Sequence, residues 1–91
     1  MQTLILVHAI LGSANDVARR IAELPDIESA EAVSGPYDVI VRADSASLEI
    51  VVHAIVPKIR AIRGVTRTVT CPVIGHRYTW VERIPGSAVS V

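Results

Sequence analysis

The stretch Val33-Ser34-Gly35-Pro36-Tyr37-Asp38-Val39-Ile40-Val41 constrains this chain more than any other. A glycine and a proline stand together between two apolar runs, which is the composition of a turn between strands. So short a connection joins antiparallel neighbours. Tyr37 and Asp38 then project at one end of a sheet, where a small ligand can reach them. The remaining elements must be arranged around this hairpin.

Upstream, Thr3 to Leu11 is apolar except for His8 and is bounded by Gly12, which predicts a strand buried on both faces. Ser13 predicts a helix start: its hydroxyl can accept from the N–H of Asn15 or Asp16, with Asp16 in the positive first turn. Ala14, Val17, Ala18, Ile21 and Leu24 form one apolar stripe, Arg19, Arg20 and Glu23 lie opposite, and Pro25 stops the helix. Ile27 to Ser34 alternates loosely, with Ile27, Ser29, Glu31 and Val33 on one face and Glu28, Ala30, Ala32 and Ser34 on the other. It reads as a strand near an edge.

After the turn, Tyr37 to Ala43 is the next strand, and Asp44 or Ser45 caps a second helix. Leu48, Val51, Val52, Ile55, Ile59 and Ile62 give that helix its stripe. Pro57 sits inside it, where it removes a hydrogen bond and meets the carbonyl of His53 at a cost of ~3 kcal/mol. A kink is expected there, and Gly64 ends the helix. In the final core strand, Val65 to Ile74, the residues Val65, Arg67, Val69, Cys71 and Val73 face one way. Thr66, Thr68, Thr70, Pro72 and Ile74 face the other. Arg77 to Ile84 carries Tyr78 and Trp80 and reads as a short additional strand, and the residues from Pro85 onward read as a frayed tail. Residues 1–75 are thus expected to form the domain, and 76–91 a C-terminal extension.

The order strand, helix, strand, strand, helix, strand is that of the α+β ferredoxin-like βαββαβ fold, one four-stranded antiparallel sheet with two helices on one face. Composition bears on the uncovered face. A domain of 91 residues buries only about 60–65% of its unfolded surface, yet 51% of this chain is apolar. That excess predicts burial against another subunit: a homo-oligomer built from two-fold dimers that pair through the sheet.

Net charge is zero, without a run of one sign, which is a poor footprint for direct nucleic-acid binding. The single Cys71 fits a reducing cytoplasm and, in an apolar strand, reads as an inert thiol. The N-terminal apolar run lacks a basic flank and a cleavage site, and no run is long enough for a membrane span. His8, His53 and His76 have no ligand-like spacing, so neither a metal nor a cofactor is expected. His8 reads as partly buried with a hydrogen bond, and the other two as surface residues.

At the turn and the last strand the chain resembles a family. Gly35-Pro36-Tyr37-Asp38 followed by Val39-Ile40-Val41 is similar to the Gly-x-Tyr-Asp motif of the Lrp/AsnC effector-binding domain. Gly64-Val65-Thr66-Arg67-Thr68-Val69-Thr70 is similar to that family's closing Gly-Val-x-x-Thr-x-Thr strand. The match runs from Thr3 to Ile74. The resemblance implies a regulator rather than an enzyme. Because Met1 lies almost directly before the first strand, it implies a stand-alone form without the helix-turn-helix DNA-binding domain. It further implies dimers assembling into octameric or decameric rings, with a full-length regulator of the family as a partner. An amino acid or related metabolite would bind between dimers, and Gly35, Tyr37, Asp38, Thr68 and Thr70 are the residues carried over.

The chemistry of those residues fits such a ligand. Asp38 can accept from an ammonium, and backbone N–H groups beside Gly35 can approach a carboxylate closely. Pro36 offers no such donor, and the threonine hydroxyls can serve either end. The residues alone also admit a plainer reading, in which Asp38 bonds local backbone and the threonines make cross-strand contacts. Two other functions share the fold: a cofactor-free oxygenase, which needs a pocket enclosed within one subunit, and a structural oligomeriser without a ligand.

Overall fold

The computed structural model describes residues 1–79. Strand β1 is Gln2–Ala9, helix α1 is Ala14–Ala22, β2 is Ile27–Ala32 and β3 is Val39–Asp44. A second helix, α2, runs over residues 48–60, and β4 is Val65–Pro72. The strands form one sheet in the order β2-β3-β1-β4 with every neighbouring pair antiparallel. With both helices on one face, this is the ferredoxin-like fold expected from the element order.

Strand β1 lies second from one edge and alternates in burial. Thr3, Ile5 and Val7 are buried toward the helices, while Leu4, Leu6 and His8 are half-buried on the other side. The expectation of two buried faces is therefore met on one face only. The core comprises Ile5 and Val7, Val39, Val41 and Ala43 of β3, Val17, Ala18 and Ile21 of α1, and Val51, Ile55, Val56 and Ile59 of α2. Facing away from both helices, Leu4, Leu6, Ile40, Val69 and Cys71 form a half-buried apolar centre on the open face of the sheet.

Several local expectations are corrected. Strand β1 ends at Ala9, and Leu11 is fully exposed in the turn beyond it. Ser13 does not cap α1 with its side chain. Its backbone is already helical (φ −105°, ψ 0°), so its hydroxyl turns back and donates to the Ile10 carbonyl at 2.7 Å. Neither Asp44 nor Ser45 caps α2. Ser47, in extended backbone, accepts from the Ile50 N–H at 3.3 Å. Asp44 instead takes the N-terminal ammonium at 3.2 Å.

Helix α2 meets Pro57 by widening. Val51–Ile55 is a π-helical turn in which the Val56 N–H bonds the Val51 carbonyl. A wider turn moves the His53 carbonyl away from the proline ring and needs no N–H from it, so the irregularity expected at Pro57 takes the form of a π turn. The extra residue rotates the stripe: Val51, Ile55, Val56 and Ile59 are buried, while Leu48 and Val52 are exposed.

Bulges change two strand faces. In β2 the pairing steps from Ile27↔Ala43 to Ser29↔Arg42, so Glu28 is the extra residue. Ile27, Ala30 and Ala32 therefore share the helix side, and Ser29 and Glu31 the open face. In β4 the register shifts between His8↔Arg67 and Ala9↔Val65, which places Val65 on the helix side, apart from Arg67 and Val69. The additional strand expected over 77–84 falls mostly outside the described residues; Arg77, Tyr78 and Thr79 are irregular, and Trp80 lies beyond them.

Candidate functional site

The turn at residues 33–38 lies at the sheet end where β1 finishes. Gly35 has φ 143°, a conformation that disfavours a side chain, although a Cβ there would meet no atom within 4 Å. Val33 to Pro36 is exposed, while Tyr37 and Asp38 are half-buried.

Asp38 joins three strand ends. Its N–H donates to the Val7 carbonyl at 2.9 Å, and its carbonyl accepts from the Val33 N–H at 2.9 Å. Its side-chain Oδ2 accepts from the Ala9 N–H at 2.8 Å. Ala9 lies one step past the last β1–β3 pair, Val7↔Val39, so its N–H, which points to the β3 side, has no ladder partner, and the carboxylate supplies one. Among the described residues Oδ1 makes no hydrogen bond. Asp38 thus has a structural role through one oxygen and a second oxygen left for another partner.

The Tyr37 ring packs on His8, with centroids 4.7 Å apart and planes at 44°. His8 is on the open face beside its cross-strand partner Arg67. It is partly buried as expected, but its contact is an aromatic ring, and no hydrogen bond to it is seen among the described residues. His53 and His76 are exposed, as expected. No group of three metal-ligating side chains occurs among the described residues.

Thr68 and Thr70 pair with Val7 and Ile5 and share their face, the helix side of the sheet. Tyr37 and His8 lie on the other side. One chain therefore does not gather Gly35, Tyr37, Asp38, Thr68 and Thr70 into a single site. His8 was missed as a neighbour of Tyr37 because the irregular residues 33–38 break the alternation that would have placed Tyr37 on the open face. The Ala9 N–H was missed because residue types do not mark where the β1–β3 ladder stops. A cavity of about 280 Å³ lies at the opposite end of β1, on the open face, lined by Gln2, Leu4, Glu28, Arg42, Val73 and Arg77. It does not hold His8, so it gives no support to the oxygenase reading.

Comparison with known proteins bears on this arrangement. The family model for the Lrp/AsnC ligand binding domain matches residues 2–79. An uncharacterised HTH-type transcriptional regulator of Pyrococcus furiosus is 34% identical over 55 residues, which take in 60% of this chain and 37% of the relative. The chain thus spans well under half the length of that regulator. A hypothetical protein of Pyrococcus horikoshii superposes with a TM-score of 0.70 at 26% identity, over 82% of this chain and 92% of its own. A transcriptional regulator of Neisseria meningitidis, solved as a complex with L-methionine, superposes with a TM-score of 0.71 at 19% identity, over 97% of this chain and 58% of its own.

Proposed function

The chain belongs to the Lrp/AsnC ligand-binding domain family, and on that premise we propose that it binds an amino acid or a related small metabolite at an interface between copies of itself. Gly35, Tyr37 and Asp38 of one copy form one wall of the site, and Thr68 and Thr70 of a neighbouring copy form another. The observation that carries this reading is the free oxygen of Asp38. Its partner oxygen is held by the Ala9 N–H, which fixes the carboxylate at the sheet end with one acceptor remaining for an ammonium. The placement of the threonines on the opposite face of the sheet is what makes a second copy necessary. The methionine bound to the Neisseria regulator supports an amino acid as the ligand class.

In this reading the half-buried apolar centre of the open face is the two-fold dimer contact, and dimers meet through the turn ends to build larger rings. The function is regulatory and not catalytic: ligand occupancy changes the assembly or its contact with a full-length regulator of the family. The test is calorimetric titration of the whole chain against a panel of amino acids including L-methionine, with light scattering of the same samples. Binding with a change of assembly is expected for at least one member. A panel that gives neither heat nor a change of mass defeats the proposal.

A further inference from the structure

The chain that follows β4 carries apolar side chains off its own domain. The Val73 N–H still donates to the Gln2 carbonyl at 3.0 Å, and the backbone is irregular from there to Thr79. Ile74 is fully exposed, and Tyr78 is 75% exposed with its ring edge-on to that of the exposed His76. Large apolar groups left uncovered beside a face that pairs two copies point to the surface of the partner. Past Thr79 the sequence continues Trp80-Val81-Glu82-Arg83-Ile84. Alternate residues of an extended chain share a side, which groups Tyr78, Trp80, Glu82 and Ile84: three large apolar side chains and one carboxylate.

The open face offers the complement at the start of β1. Arg42 is half-buried in β3, between Leu4 of β1 and Ser29 of β2, and makes no ion pair among the described residues. With Arg77 and Glu28 it gives the groove there one more cation than anions, beside the apolar Leu4 and Val73. A guanidinium taken out of water needs a counter-charge. Where two open faces meet, that counter-charge has to come from the second copy.

We propose that residues 73–84 form an arm exchanged between two copies. Tyr78, Trp80 and Ile84 seat on the apolar open face of the second copy, and Glu82 pairs with the partner's Arg42. Sheets packed face to face lie about 10 Å apart, and five residues of extended chain span roughly 17 Å, so the residues after Thr79 reach the opposing face. The exchange rests on the two-fold contact put forward above and adds to it the charge pair that selects the partner.

The experiment is sedimentation equilibrium of the whole chain as wild type, Arg42→Glu, Glu82→Arg, the double variant, and an equal mixture of the two single variants, with circular dichroism as the check on folding. Each single variant is expected to raise the dimer dissociation constant by about tenfold or more. The mixture should recover wild-type affinity, because each arm then meets the opposite charge on the other copy, and the double variant should recover too. Trp80 is the only tryptophan of the chain, so its emission should move to the red as the wild type is diluted through dissociation. Recovery in the double variant without recovery in the mixture puts Glu82 on Arg42 of its own chain and overturns the exchange. Dimers of unchanged strength in both single variants overturn the arm and leave the two-fold contact standing. A wild type that is monomeric at every concentration removes both. If Arg42→Glu does not fold, Glu82→Arg and the dilution series decide: unchanged dimer affinity, or Trp80 emission constant through dissociation, overturns the arm.

Discussion

Replacing Asp38 separates its two roles. In Asp38→Ala the part-buried Ala9 N–H loses its 2.8 Å charge-assisted bond. Such bonds are worth about 1.5–3 kcal/mol, and an N–H left without a partner accounts for much of that. A domain of this length has about 5–14 kcal/mol of stability in all, so the loss is readily measured. In Asp38→Asn the amide oxygen can still accept from Ala9, and the expected loss falls to about 1 kcal/mol or less. The amide nitrogen then takes the place of Oδ1 and presents a donor where the ligand ammonium needs an acceptor. Stability should therefore rank wild type, Asn, Ala, while ligand binding at the turn should fail in both variants. Urea unfolding followed by circular dichroism gives the first ranking and calorimetry the second. Chain concentration must be held fixed, because an oligomer's apparent stability depends on it. If Asp38→Ala unfolds within about 0.5 kcal/mol of wild type, or if Asn is as damaging as Ala, the carboxylate is not holding the β1 end and the argument for its orientation fails.

Three further outcomes follow from the packing. A Cβ at Gly64 would lie 3.1 Å from Val17 Cγ2 and 3.2 Å from Ser13 Oγ at φ 102°, whereas one at Gly35, φ 143°, meets open space. Gly35→Ala should lose about 1–3 kcal/mol from the backbone alone, and Gly64→Ala roughly 1 kcal/mol more; equal unfolding midpoints would refute the packing account. Thr3 is fully buried and its hydroxyl has no partner among the described residues, so Thr3→Val should raise stability by about 1 kcal/mol, and a lowered thermal midpoint would show that the hydroxyl is satisfied. Hydrogen bonds from Arg19 and then Arg20 hold the exposed Asp16 carboxyl below its ordinary range. The folded value is lower than the unfolded one, so this contribution is complete above the unfolded value and is lost as pH falls through the folded one. Asp16→Asn should therefore lose as much at about pH 5 as at about pH 7 and converge on wild type below about pH 4; a gap that opens only near neutrality would contradict it.

The topology was legible because each element carries its own periodicity. The β2–β3 hairpin follows from the short Gly35-Pro36 turn, and α1 from a stripe that the structure buries at Val17, Ala18 and Ile21. What escaped was register. A bulge adds one residue and reverses the face of everything beyond it on that strand, as at Glu28 and at the start of β4, and residue types do not announce it. The same holds for α2, where the π turn shifts the stripe from Val52 to Val56. Pro57 signalled that the helix would be irregular there but not which irregularity would accommodate it. At the candidate site, Tyr37 and Asp38 were legible as sheet-end residues. The division of the threonines from Tyr37 by the sheet itself was not, because it depends on how β4 pairs with β1.

That division bears directly on regulation. On the proposed reading the site takes residues from two copies, so its ligand binds the assembly in preference to the separated chains. By mass action, a ligand at about 100 times its dissociation constant adds about 2.7 kcal/mol per site to the assembled state. Repeated around the proposed ring, increments of that size would move the population between small and large assemblies without any change inside the domain.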